Sequence, residues 1–283
     1  MANPTEVSGD GATREPPPAV DGAMGSETIA TGDAVAPPDA TLARAVRRAG
    51  GLIAVGLIVG PAVDGAVAET GRRAGLGWAW AAAFAVCGTA VMALGAAAAD
   101  RLFLPRLGRQ IRVGNLAAAI VSAGHAIAFG ILTSACFSGR GWPDLVLSAS
   151  FFVITAVSLL GFQALFRWRT RYADDQEVLG QNAAAALAFA GATAAFAIIV
   201  GHAAEGEFLG WTRSLLAYGR ALLLAVALYP VRQVVVQRWL LGLGSGGAAN
   251  ALDRAVAQAR DVRVAAVEAA AYLAIALWAT GIA

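Results

Sequence analysis

Seven stretches of mostly apolar residues, near 49–68, 77–99, 113–136, 145–166, 178–202, 211–241 and 262–283, constrain this chain more than any other feature of it. A helix rises about 1.5 Å per residue, so about 20 residues cross a hydrocarbon layer about 30 Å thick. No water reaches the backbone there, and a helix satisfies its own N–H and C=O groups. Composition points the same way: 58% of residues are hydrophobic, 14% are charged and mean hydropathy is +0.63, against roughly 45–50% apolar and roughly 25% charged in a soluble domain. The expected fold class is all-α, a polytopic membrane bundle of about seven transmembrane helices built from repeated helical hairpins.

Charge sets the expected orientation. All 21 basic residues are arginine, which suggests a GC-rich bacterial genome. Fifteen of them, Arg44, Arg47, Arg48, Arg101, Arg106, Arg109, Arg112, Arg167, Arg169, Arg171, Arg232, Arg238, Arg254, Arg260 and Arg263, fall just ahead of the first stretch or around the ends of the second, fourth and sixth, whereas the opposite loops hold only Arg72, Arg73, Arg140 and Arg213. The positive-inside bias predicts a multi-pass protein of the bacterial plasma (inner) membrane with a cytoplasmic amino terminus and a periplasmic or extracellular carboxyl terminus. The net charge of +2 is too small for nucleic acid, which demands a concentrated basic face. Residues 1–42, rich in Pro, Gly, Ala, Thr and acid, read as a disordered cytoplasmic tail and lack the apolar core of a signal peptide. Trp78 and Trp80 suit the interfacial belt. Gly56 and Gly60, one turn apart in the first stretch, suit close helix approach. Cys87 and Cys136 read as small buried side chains.

A repeat lies within this pattern. The segment around Asn115, DRLFLPRLGRQIRVGNLAAAIVSAG, returns 67 positions later around Asn182 as RWRTRYADDQEVLGQNAAAALAFAG. Each is a charged loop, then Asn, then a small-residue helix. Arg263 to Glu268 stands where a third copy is expected, 81 positions after Asn182. Residues 43–147 read as a first, incomplete unit of three helices, and 148–283 as a second, complete unit of four.

Glu177, Asn182, Ala184, Ala185 and Ala186, echoed by Asn115, Ala117, Ala118 and Ala119, match a charged inner loop, an acid and Asn-x-Ala-Ala-Ala at a helix start. In this the chain resembles the YjfL-like family of bacterial inner-membrane proteins, a domain of unknown function (DUF 350, UPF0719 type), here in tandem copies. Arg263 departs from the pattern by replacing the Asn expected in the last copy. The resemblance implies a plasma-membrane protein whose relatives lack an established activity. Those relatives are often encoded beside stress-linked proteins, which implies envelope stress and a soluble cytoplasmic stress protein as partner.

Seven polar positions stand out. Asn115 and Asn182 suit helix caps or, alternatively, a quasi-symmetric pair lining a cavity. Glu177 is the acid that precedes Asn182 in its copy. Asp64, Arg220 and His125 fall inside apolar stretches, where a charge costs several kcal/mol unless paired or hydrated. Arg220 is expected to pair with Asp64, with His125 in reach, or else to snorkel outward alone. Glu268 is expected to pair with Arg260 or Arg263 near the inner face. The chain has two histidines, without Cys or acid at ligand spacing, so no metal site is expected. Gly242, Gly244 and Gly247 have dinucleotide-loop spacing but follow a membrane stretch, and read as a linker. No cofactor is implied.

Two functions fit these features. One is a conduit, channel-like or transporter-like, built on the repeats. The other is a membrane scaffold or sensor whose Arg-rich cytoplasmic face recruits a soluble partner. The lipid bilayer is the expected surrounding, and the small-residue faces also suit homo-oligomers. An enzyme is not expected, because no nucleophile, base and orienting group converge.

Overall fold

The computed structural model describes residues 38–67, 74–169, 174–205, 208, 210–231 and 251–282. Among them every regular element is helical: α1 (Pro38–Val67), α2 (Ala74–Phe103), α3 (Leu107–Arg112), α4 (Leu116–Cys136), α5 (Trp142–Arg169), α6 (Asp174–Leu179), α7 (Ala183–Ala204), α8 (Trp211–Val231), α9 (Ala251–Asp253) with a π-helical turn (Arg254–Gln258), and α10 (Val262–Ile282). Six described helices, α1, α2, α4, α5, α7 and α10, are long and apolar enough to cross a membrane. The remaining expected crossing, the sixth stretch, coincides with α8, a 21-residue helix that carries Arg213 and Arg220. The expected amino-terminal tail up to 37, the end of the sixth stretch after Val231 and the glycine linker lie outside the described residues.

The helices are arranged around a row. α1 packs along α4, α4 along α7, and α7 along α10, while α2 leans on α1 and α4, α5 on α7 and α4, and α8 on α7. The middle members, α4 and α7, have 72% and 78% of their apolar windows buried, whereas the other crossings reach 33% at most. That places the centre of the bundle on the two helices that follow Asn115 and Asn182.

Small residues make the row possible, since helices in lipid associate by packing more than by exclusion from water. A Cβ added at Gly124 would lie 2.6 Å from that of Ala190, and one at Gly191 would lie 2.4 Å from that of Ala269. The α1 contact is of the same kind, with Gly50 against Ala123 and Gly130 against Ala54. Gly56 and Gly60, expected to bring a neighbour close, face open space instead. Aromatic rings fill the layer between row and outer helices, notably Phe162 stacked on Phe196 at 4.0 Å and Phe129 tilted against Phe152 at 6.2 Å.

Three quasi-equivalent units emerge, α2-α3-α4, α5-α6-α7 and α8-α9-α10, preceded by the single helix α1. In each a short helix presents an apolar side to the row: Leu107 and Ile111 in α3, Val178 in α6, and Leu252 with Val256 in α9 and its π turn are all buried.

Candidate functional site

At one end of the row a single device recurs three times. The residue two places before α4, α7 and α10 has positive φ: Gly114 at 96°, Gln181 at 61° and Arg260 at 53°. This turns the chain so that the next side chain caps the helix. Asn115 Oδ1 accepts from the N–H of Ala118 at 3.0 Å, and Asn182 Oδ1 accepts from those of Ala184 and Ala185 at 3.1 and 3.2 Å. In the third unit the cap is Asp261, whose Oδ1 accepts from the N–H of Arg263 at 2.9 Å and of Val264 at 3.4 Å. Arg263 is therefore not the counterpart of the two asparagines. The true offset is 79 positions, which also relates Gln181 to Arg260 and Ala190 to Ala269.

The amide nitrogens do something more. Asn115 Nδ2 donates to the carbonyl of Val178 at 2.9 Å, at the end of the next unit's short helix, and Asn182 Nδ2 donates to Val256 at 3.0 Å in the following one. Each Asn thus caps its own helix and ties down the next unit, and both are fully buried. Glu177 Oε2 accepts from Asn182 Nδ2 at 2.9 Å, as Gln110 Oε1 does from Asn115 at 3.4 Å. Capping describes these positions, and both amides are engaged by their own helix and by the next unit. In the third described unit Asp261 caps with a carboxylate, which accepts as an amide oxygen does but has no donor.

Deeper in the bundle, α2 and α4 bring together three polar side chains. Ser122 Oγ donates to Asp100 Oδ2 at 2.8 Å, and His125 Nδ1 lies 2.7 Å from Asp100 Oδ1. Ser122 and His125 are one helical turn apart and share a face. With the carboxylate ionised, Nδ1 carries the proton and donates it. His125 is wholly buried, its Nε2 has no partner among the described residues, and its ring meets Phe189 of α7 edge-on at 5.8 Å. The carboxylate sits between hydroxyl and imidazole, which is not the nucleophile–base–orienter order of a hydrolytic triad. A second buried polar group is Gln163 of α5, whose amide oxygen and nitrogen both lack partners.

The remaining expected pairings are not formed. Asp64 and Arg220 are both exposed, and no hydrogen bond or ion pair joins them among the described residues. Their helices belong to opposite parts of the bundle, α1 on α2 and α4, α8 on α7 and α10. His125 is taken by Asp100 instead. Glu268 is fully buried within α10, while Arg260 and Arg263 are exposed and do not pair with it. Among the described residues no group of three His, Cys, Asp or Glu could hold a metal. Asp100 and Ser122 were not singled out in the sequence; an acid in the last turn of one crossing, followed by Ser and His three apart in the next antiparallel one, is the signal that could have found them.

A row of membrane-length helices, capped by one device in three successive units, defines a multi-pass helical membrane protein made by internal duplication. The chain belongs to the family described as Domain of Unknown Function (DUF350), whose model matches residues 39–137 and again 141–282. No curated protein and no solved structure matches it.

Proposed function

We propose that the protein is a conduit, transporter-like or channel-like, of the bacterial plasma membrane, and that the Asp100–Ser122–His125 cluster holds and passes on a proton. The amino terminus is cytoplasmic, the carboxyl terminus periplasmic or extracellular, and no covalent catalysis is involved. The observation that carries this reading is a carboxylate 2.7 Å from an imidazole inside an apolar bundle. Ionisable groups at such depth are costly to keep, and chains of Asp, Glu and His serve proton relays in membranes. His125 Nε2, buried and without a partner, is the atom from which a proton would be handed to a transient water or solute.

The test is proton flux into liposomes that hold the purified full-length protein and a trapped pH-sensitive dye. Flux should exceed that of empty liposomes and fall to background in Asp100→Asn and His125→Gln, with elution volume and helical circular dichroism unchanged. A parent protein that passes no protons, or variants as fast as the parent, would overturn the proposal.

A second reading is favoured by one other observation. Arg101, Arg106, Arg109, Arg112, Arg260 and Arg263 are all exposed at the Asn-capped end, and such a surface suits recruitment of an acidic soluble protein. Under this scaffold reading, neutralising Arg106, Arg109 and Arg112 abolishes copurification of a stress protein and leaves flux at background throughout.

A further inference from the structure

At the end of the bundle remote from the Asn caps, a cavity of about 560 Å³ opens between the last turns of α4 and α7 and the first turns of α5 and α8. Its volume falls within the roughly 300–1,000 Å³ of small-molecule sites. Asp144, Glu205 and Arg213 all line it, together with the hydroxyls of Ser148 and Ser214 and the ring of Phe151. Opposite charges that share a cavity ordinarily close on one another, yet these do not. Asp144 Oδ2 accepts from the backbone N–H of Arg140 at 2.8 Å, and Glu205 Oε2 lies 3.1 Å from His202 Nδ1. Arg213 makes no hydrogen bond or ion pair among the described residues.

The acid on the α5 side is held in place. Gly139, at φ 146°, lets the turn before α5 pass so close that a Cβ there would lie 2.3 Å from that of Asp144. Phe151, stacked on Trp211 at 5.8 Å and 5° between ring planes, stiffens the wall beneath. The cavity therefore presents one fixed carboxylate, Asp144, a second, Glu205, beside His202, and one unengaged guanidinium, with hydroxyls between.

We infer that this cavity binds a small zwitterion, its ammonium group between Asp144 and Glu205 and its phosphate or carboxylate on Arg213. A guanidinium offers paired donors that match either anion. A primary ammonium gives hydrogen bonds to both carboxylates, which a trimethylated one cannot. Two sources present this chemistry, a free aminoalkyl phosphate or amino acid and the headgroup of phosphatidylethanolamine. The site is independent of the proton-relay reading, because occupancy requires no flux.

The full-length protein in a sugar-based detergent is titrated calorimetrically with phosphoethanolamine, and in parallel is recovered from phosphatidylethanolamine or phosphatidylcholine vesicles for native mass spectrometry. Saturable phosphoethanolamine binding, weakened at least about tenfold by Arg213→Gln and by Asp144→Asn and unchanged by Arg220→Gln, supports a site for a free solute. Retention of phosphatidylethanolamine over phosphatidylcholine, lost in Arg213→Gln, supports the lipid as source. Arg213→Lys keeps the charge and should retain part of either signal, which separates loss of recognition from loss of fold. Absence of both signals, or binding that neither substitution weakens, overturns the inference.

Discussion

Exchanging one nitrogen for oxygen at three related positions separates the two roles of the recurring cap. Asn115→Asp keeps the acceptor facing the N–H of Ala118 but removes the donor 2.9 Å from the carbonyl of Val178. That carbonyl keeps only the N–H of Gln181, at 3.1 Å, and the lost hydrogen bond costs about 0.5–1.5 kcal/mol. The new carboxylate is also fully buried and faces an oxygen, which adds to the penalty. A total of about 3 kcal/mol corresponds to a melting temperature lower by about 6–12 °C for a chain of this size. Asn182→Asp, which loses the bond to Val256 at 3.0 Å, should behave alike. Asp261→Asn keeps the cap and adds a donor that nothing requires, so it should stay within about 0.5 kcal/mol of the parent. Thermal unfolding of the detergent-purified protein, followed by circular dichroism, measures all three. Acidification should narrow the deficit of Asn115→Asp, because a protonated carboxyl regains a donor toward Val178. The reasoning fails if Asn115→Asp melts with the parent, or if Asp261→Asn falls as far as the other two.

Packing along the row gives a second comparison: Gly191→Ala must push α7 from α10, where its Cβ would lie 2.8 Å from the Ala269 backbone, and should cost about 1–3 kcal/mol. Gly56→Ala, with nothing within 4 Å, should be neutral or stabilising by up to about 1 kcal/mol; the same melting curves report both. Gln163→Leu removes two buried amide atoms that lack partners and should stabilise by about 1–3 kcal/mol, read as a higher melting temperature. Asp100→Ala strands the Ser122 hydroxyl and His125 Nδ1 at once and should destabilise by about 2–4 kcal/mol, more than Ser122→Ala alone.

The crossings were legible because a run of about 20 apolar residues admits few other structures, and the caps because the same grammar occurs twice. The third copy was harder to place. Its cap changed from Asn to Asp, and the turn that closes onto the cap holds one more residue: Asn182 N–H reaches back five positions to Glu177, whereas Asp261 reaches back six to Ala255. The π turn at Arg254–Gln258 absorbs that insertion. Asp100 was hidden by its position, since an acid three residues from a helix end resembles a loop charge until the antiparallel neighbour supplies Ser122 and His125. The expected Asp64–Arg220 pair rested on the cost of unpaired charges in apolar stretches, which says nothing about which helices are neighbours.

The first two units each contain two membrane-length helices, so the chain comes back to its starting side at the end of each. Lengthening or shortening the row by whole units would leave both termini where they were, and everything attached to them with the same access. Architecture of this kind can change its number of parts without renegotiating its topology.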